Sequence, residues 1–387
     1  MTRKTTAYVW AGDALAATIV RDRAGTKFQY LPEYVQSSLP AIATTLPKSS
    51  RAIELAPGQI PPFFAGLLPE GRRLSALRRS VKTSADDDLG LLLAVGGNTV
   101  GNVSVLPEGK RPKALQGSVN LAGSTVDFSR ILMDAGVGDP HSLAGVQDKA
   151  SARTIAMPIG GEAIVKLSPP EYPGLVENEF TCLQAYRTMP MAKQKVVDAS
   201  ILHDMNGLPG LVVERFDGTF PEKYQVEDAA QLLGIYPADK YNVSYEELCH
   251  RILSVTAAPR LAARDLMLQL AFAWLSGNGD LHAKNISVIN RGMGYELSPV
   301  YDVPSTVPYG DYSLALEVGG RKDGLSRKRF AALCLDVGLT DKLASKIAAQ
   351  ALAATDGLAR SLIDAASFDP RRARDLTRHL RSRRQHW

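Results

Sequence analysis

The sequence predicts an α+β protein built as two lobes behind an amino-terminal subdomain. Three observations predict it. Apolar residues alternate along much of residues 1–110 and again within 119–220, as half-buried strands require, whereas 221–387 is dominated by helical spacing. Between the first two blocks, PEGKRPKALQGS (107–118) has the Pro, Gly and Lys content of a linker and no periodicity. At 387 residues, with 45% hydrophobic and 22% charged, the chain is long enough for two or three units around a large core.

Taken in order, AYVWAGDALAATIV followed by TKFQYLP predicts a hairpin. ADDDLGLLLAVG predicts a helix with three acids at its positive end, and NTVGNVSVLPEG a closing strand. SARTIAMPIGGEAIVKLSPP reads as two strands joined by a hairpin turn at Ile159-Gly160-Gly161-Glu162, the second ended by Pro169-Pro170. In the helical run LVENEFTCLQAYRTM, Val176, Phe180 and Leu183 share one face, and GLVVERFDG is a further strand. Beyond about residue 226 the predicted helices are EDAAQLLG, SYEELCHRILSV, RDLMLQLAFAWLSG and TDKLASKIAAQALAATDGLARSLIDAAS. There is no internal repeat and no low-complexity tract.

A net charge of +5 allows anionic partners without requiring them. Cys182, Cys249 and Cys334 are far apart and form no CxxC pair, which argues against a zinc site or a disulfide framework and favours reduced thiols. The stretch MTRKTTAYVWAGDALAATIV puts positive charge before apolar residues, as a signal peptide does. Asp13 interrupts it, however, and no apolar run reaches the roughly 18 residues that span a bilayer. The expectation is a cytoplasmic protein with no membrane partner.

The run NGDLHAKN (278–285) follows an apolar segment and sets Asp280 and Asn285 five positions apart. That is the interval between base and metal ligand in the catalytic loop of protein kinases, H-R-D-x-x-x-x-N. Phosphoryl transfer needs neutralised phosphates, a held metal and a group to receive the nucleophile's proton, so the rest of the chain can be searched for those parts. Asp280 is placed to accept the proton and Asn285 to hold magnesium, with His282 and Lys284 steadying the loop or touching phosphate. Lys166, in the strand AIVKLSPP, can grip the phosphates. Glu179 lies beside the apolar stripe of LVENEF, closer than Glu177, and is the expected ion-pair partner. Asp302 comes seventeen positions after Asn285, and ISVIN with GYELSPVYD reads as a strand pair that returns it beside Asn285. HSLAGVQDKASA contains only Gly145 and fits no phosphate-loop motif, but it precedes a strand and could offer backbone N–H groups beside Lys149.

Each part has a plain alternative. Lys166 could point to water from an edge strand, the 278–285 loop could merely cap a helix around a buried His282, and Asp302 could end a strand. Their joint occurrence in kinase order and spacing predicts ATP-dependent phosphoryl transfer on a bilobal protein-kinase-like fold.

The chain also resembles the HipA family of toxin serine/threonine kinases from bacterial toxin–antitoxin operons. The resemblance is carried by SLAGVQDKA (142–150), IVKLSPP (164–170), VENEF (176–180), LVVERFD (211–217), GDLHAKN (279–285) and PVYDVPS (299–305). FFAGLLPEG (63–71) and VGGNTVGNVSVLPEG (95–109) extend it to the amino-terminal subdomain. It implies Asp280 as catalytic base, Asn285 and Asp302 as magnesium ligands, and Lys166 on the ATP phosphates. It further implies a phosphate loop of Ala144, Gly145, Val146, Gln147, Asp148 and Lys149, and an adenine-holding hinge of Glu214, Arg215 and Phe216. His282, Ala283, Lys284 and Tyr301 would also line the nucleotide site, and Ser142 would be the autophosphorylation site that switches the kinase off. The implied cofactors are ATP and Mg2+. The implied partners are a small helix-turn-helix antitoxin of the HipB kind, operator DNA through that antitoxin only, and a protein substrate such as an aminoacyl-tRNA synthetase. The implied outcome is growth arrest with drug tolerance (persistence).

Leu281 stands where a glycine is frequent and makes the loop resemble the G-D-L-H loop of aminoglycoside-type phosphotransferases, so a small-molecule phosphotransferase on the same fold is the alternative enzyme. A non-catalytic co-repressor is the alternative of another class. It rests on the basic runs RKDGLSRKR (321–329) and PRRARDLTRHLRSRRQHW (370–387), which are more usually solvated faces.

Overall fold

The computed structural model describes residues 4–81, 87–114, 126–128, 155–159, 163–193 and 195–387, with the backbone alone over 155–159. The amino-terminal part is a five-stranded antiparallel sheet of β1 (Thr5–Ala11), β2 (Ala14–Arg21), β3 (Thr26–Tyr30), β4 (Ile53–Leu55) and β5 (Val103–Pro107), in the order β4-β3-β2-β1-β5. The expected single hairpin is in fact two. AYVWAGDALAATIV folds back on itself at Gly12-Asp13, where Gly12 takes φ +60° and Ala11 pairs with Ala14.

Among the described residues, this part also has the short helices α1 (Pro32–Gln36), α2 (Pro62–Gly66), α3 (Gly71–Val81) and α4 (Asp88–Val95). The last is the predicted one, and the Asp87 carboxylate caps it by accepting from the Gly90 N–H at 2.8 Å. The core of this part combines aliphatic residues with an aromatic cluster, in which Phe28 is edge-on to Tyr30 at 5.1 Å and Phe63 edge-on to Phe64 at 5.2 Å between ring centres.

A second antiparallel sheet contains β6 (Ile155–Ile159), β7 (Ala163–Leu167), β8 (Ala199–His203) and β9 (Pro209–Glu214), in the order β6-β7-β9-β8. β6 and β7 are the predicted pair, and residues 160–162 of their turn lie outside the described residues. Helix α5 (Leu175–Arg187) follows β7 and buries Val176 and Leu183, with Phe180 partly buried against the same core.

A third, three-stranded sheet of β10 (Gln225–Asp228), β11 (Ser287–Asn290) and β12 (Tyr295–Leu297) includes the predicted ISVIN/GYELSPVYD pairing. EDAAQLLG is only partly helical, contrary to the sequence reading. Its first residues extend β10, and α6 (Ala229–Leu233) begins at a capping box in which Asp228 and Gln231 satisfy each other's backbone N–H groups.

The rest is helical: α7 (Tyr245–Val255), α8 (Pro259–Ser276), α9 (Arg327–Asp336), α10 (Asp341–Ala354), α11 (Leu358–Ala366) and α12 (Pro370–Gln385). Every residue of α8 from Asp265 to Ser276 is buried, so this helix is the axis of the lobe rather than a surface element. The long run from Thr340 is two helices, broken before Gly357 at φ +67°. The strand-rich lobe and the helical lobe give the two-lobed, kinase-like α+β arrangement expected from the sequence. Among the described residues, no helix is long and apolar enough to cross a membrane.

Hydrogen bonds of buried groups tie the amino-terminal sheet to these lobes. Glu227 accepts from the Thr44 N–H and hydroxyl and from the Tyr295 hydroxyl, Gln231 donates to the Phe63 carbonyl, and the Gly101 N–H donates to Asp217.

Candidate active site

Strand alternation explains where Lys166 points. Ala163, Val165 and Leu167 face the core of β7, which leaves Ile164 and Lys166 on the opposite face, lining a cleft of about 370 Å³. There the Lys166 ammonium donates to Glu179 at 2.7 Å and to Asp302 at 2.9 Å. Burial alone would lower the Lys166 pKa, but the Asp302 and Glu179 carboxylates outweigh it and hold the value above the ordinary one. Burial raises Glu179, and the Lys166 charge only partly reverses that. The preference for Glu179 over Glu177 agrees with this geometry.

Asp302 reaches this pair through two devices. It adopts φ +56°, a left-handed backbone that few non-glycine residues take and that is concentrated at functional sites. Three residues later, Ser305 and the buried Asn178 exchange two hydrogen bonds of 2.9 Å, N–H to amide oxygen and amide N–H to carbonyl. The segment after Asp302 is thereby fixed to the helix that carries Glu179.

The NGDLHAKN loop begins where α8 stops at Gly277, in the left-handed conformation at φ +76°. A Cβ on Gly279 would lie 2.6 Å from both the Ser313 carbonyl oxygen and the Thr306 hydroxyl, so only glycine fits before Asp280. The Gly279 N–H donates to Thr306 Oγ1 at 2.9 Å and the Asp280 N–H to Asn278 Oδ1 at 2.7 Å. Asn285 Nδ2 donates to the Asp280 carbonyl at 2.8 Å, which leaves its amide oxygen as the end offered to the cleft.

Asp280 is buried, with Oδ1 3.3 Å from the Tyr241 hydroxyl and 3.7 Å from His282 Nε2. Burial, followed by the charges of Lys240 and Lys284, drives the His282 pKa well below its usual value, so the ring is neutral. Its Nδ1 accepts from the Lys284 N–H at 3.2 Å, so the proton sits on Nε2, facing Asp280. Tyr241 meets the same ring edge-on at 5.0 Å.

Lys284 pairs with Asp228 at 2.7 Å and also donates to the Gly66 carbonyl at 2.9 Å. Tyr301 stacks on Phe216 at 5.5 Å, and its hydroxyl donates to the Lys284 carbonyl at 3.0 Å. Glu214, Arg215 and Phe216 line the cleft, but the Arg215 guanidinium is already engaged by Asp217 at 2.6 Å, Asn98 at 2.8 Å and the Thr99 carbonyl at 2.8 Å. Ala283 is buried within the one-turn helix after His282 and is not among the cleft-lining residues. Leu281 packs into the helical core, away from the cleft. Ser142 and the expected phosphate loop, Ala144 to Lys149, lie outside the described residues.

The donor set fits magnesium rather than zinc. Asn285 and Asp302 offer hard oxygen donors at one cleft, while no cluster of three or more His, Cys, Asp or Glu side chains able to hold a metal occurs among the described residues.

Sequence reasoning missed several residues. Glu70, Arg73, Asn98 and Thr99 bring the amino-terminal part into the wall of the cleft, Asp228 pairs with Lys284, and Tyr241 approaches Asp280. The runs FFAGLLPEG and VGGNTVGNVSVLPEG contain Glu70, Asn98 and Thr99 but carried no role for them by themselves, and Arg73 lies in neither.

Residues 141–358 match the family model described as the HipA-like C-terminal domain, and residues 7–106 match that of the HipA N-terminal domain. The chain is 34% identical over 306 residues to "Putative kinase Y4dM" of Sinorhizobium fredii, spanning 73% of this chain and 72% of that protein. It is 29% identical over 339 residues to the serine/threonine-protein kinase toxin HipA of Shewanella oneidensis, spanning 79% of this chain and 76% of the relative. The solved structure of the Shewanella oneidensis HipA, HipB and operator DNA complex shares the fold with a TM-score of 0.74 at 21% identity, covering 98% of this chain and 97% of that one. With both family models matched in chain order and the lysine, aspartate and asparagine positions gathered at one cleft, this chain belongs to the HipA family of kinases.

Proposed function

We propose that this protein is an ATP-dependent serine/threonine protein kinase and the toxin of a toxin–antitoxin pair. The observation that carries the reading is the convergence of Lys166, Glu179 and Asp302 on the cleft that Asn285 lines beside Asp280. Lys166 grips the nucleotide phosphates, and Glu179 keeps its ammonium in place. Asn285 and Asp302 hold magnesium, which when bound supplies neutralisation of phosphate charge. Asp280 accepts the proton of the attacking hydroxyl, with the Tyr241 hydroxyl hydrogen-bonded to its carboxylate at 3.3 Å. The Glu214–Phe216 segment and Tyr301 form the adenine-side wall.

The family relationship supports the toxin role, and the HipB and operator DNA in the Shewanella oneidensis complex support a small helix-turn-helix antitoxin here. A translation component such as an aminoacyl-tRNA synthetase is the proposed substrate. Ser142 is the proposed autophosphorylation site: a phosphate there adds about −1.5 to −2 charges where the triphosphate must sit, so the two exclude each other. Intact-mass spectrometry and peptide mapping after incubation with magnesium and ATP test this. A single phosphate on Ser142 with progressive loss of ATP binding is expected. An unmodified Ser142 in an enzyme that turns over a small-molecule acceptor would favour the phosphotransferase alternative.

A further inference from the structure

Four described cationic side chains line the cleft: Lys166, Lys284, Arg215 and Arg73. Three already have carboxylate partners. Lys166 has Glu179 and Asp302, Lys284 has Asp228, and Arg215 has Asp217. Arg73 differs from them: among the described residues it has no ion pair or hydrogen bond.

Its position makes this costly. Arg73 lies in the first turn of α3, which packs against α4 and against β6 of the strand-rich lobe, and its side chain is partly buried. Burial, then the nearby Arg215 guanidinium, lowers its pKa. A guanidinium removed from water beside a like charge is unfavourable unless an anion joins it, and buried arginines are nearly always paired. The segment before it is firmly held: Glu70 pairs with Lys240 at 2.5 Å, and the Gly66 carbonyl accepts from Lys284. Among the described residues, α3 therefore holds a cation without a counter-charge at the cleft wall.

We propose that Arg73 binds a phosphate group of the nucleotide, so that the amino-terminal subdomain forms part of the nucleotide site rather than an accessory to it. The inference rests on the kinase reading above, since phosphate is the anionic part of the ligand that reading requires. The planar guanidinium suits bidentate contact with two phosphate oxygens, which a lysine ammonium does not reproduce.

The test is calorimetric titration of the full chain with ATP, ADP and adenosine, with magnesium present, for wild type, Arg73→Met and Arg73→Lys. Arg73→Met should weaken ATP at least about tenfold, the size expected for loss of a charge-assisted hydrogen bond, and adenosine less than about twofold. Arg73→Lys should recover part of the ATP affinity. Retained adenosine binding reports that the variant is folded; should Arg73→Met fail to fold, Arg73→Gln carries the same comparison. Unchanged ATP affinity, or an equal loss for adenosine, overturns the assignment. A wild-type protein that binds adenosine and ATP equally, or neither, overturns the kinase reading itself.

Discussion

Lys166 donates to Asp302 at 2.9 Å across 136 positions of sequence, joining a strand of one lobe to the segment that follows the 278–285 loop in the other. The same ammonium serves Glu179, and the two carboxylates are not equivalent. Glu179 is 1% exposed and Asp302 23%. Asp302 is thus the more accessible of the two carboxylates, as its proposed metal-binding role requires, and Glu179 the more buried.

Lys166→Met should reveal that division. It leaves Glu179 buried with no ammonium nearby, and breaking a buried pair from one side costs about 3 kcal/mol. Burial already raises Glu179, and removing Lys166 raises it further. A carboxyl whose folded value exceeds its unfolded one is stabilising while protonated and loses that as pH rises through the folded value. Urea denaturation should therefore show a larger deficit at about pH 8 than at about pH 5. Equal deficits would mean that Glu179 does not depend on Lys166.

Asn285→Asp separates two roles of one side chain. Aspartate keeps an oxygen for magnesium but cannot donate to the Asp280 carbonyl as Asn285 Nδ2 does at 2.8 Å. Magnesium-dependent nucleotide binding should persist within about tenfold while turnover falls by more than about a hundredfold, because a loosened base is felt mainly in the transition state. Calorimetry and kinetics check the pair. Loss of magnesium-dependent binding with turnover spared would contradict it.

His282 is expected to affect stability in acid. Its folded pKa lies well below its usual value through burial and two neighbouring lysines, so the unfolded chain takes up the proton first. The stability this neutral ring contributes is present above about pH 6.5 and is lost as pH falls toward the folded value. The melting temperature of wild type should fall between about pH 7 and pH 5 by more than that of His282→Gln. Parallel curves would show that His282 titrates freely.

Much of this site was legible in the sequence because its parts are local. The five-residue interval from Asp280 to Asn285 lies within one loop, the helical stripe in LVENEF singled out Glu179, and the ISVIN/GYELSPVYD pairing returned Asp302 to the loop. Asp228, Tyr241 and Thr306 were not legible, because only tertiary packing brings them to the loop. The helix α3 was not read, although Leu74, Leu77 and Val81 in GRRLSALRRSV recur at helical spacing. β10 was hidden by a cap, since the Asp228–Gln231 box falls inside EDAAQLLG and the whole run read as helix. The basic run 321–329 was one of the two supports for a co-repressor reading. In the structure Arg329 donates to the Asp323 and Gly324 carbonyls and Lys322 to that of Tyr241, so several of its charges fold back on their own chain.

On the proposed function, Asp280 is the base of a phosphoryl transfer beside this cleft. The most direct test of that role is phosphate transfer from ATP to protein serine, followed in parallel with ATP affinity, for wild type and Asp280→Ala. Transfer is expected to disappear in the variant while ATP affinity stays within about tenfold of wild type, because a base acts in the transition state and not in binding. Near-normal transfer by Asp280→Ala would contradict it.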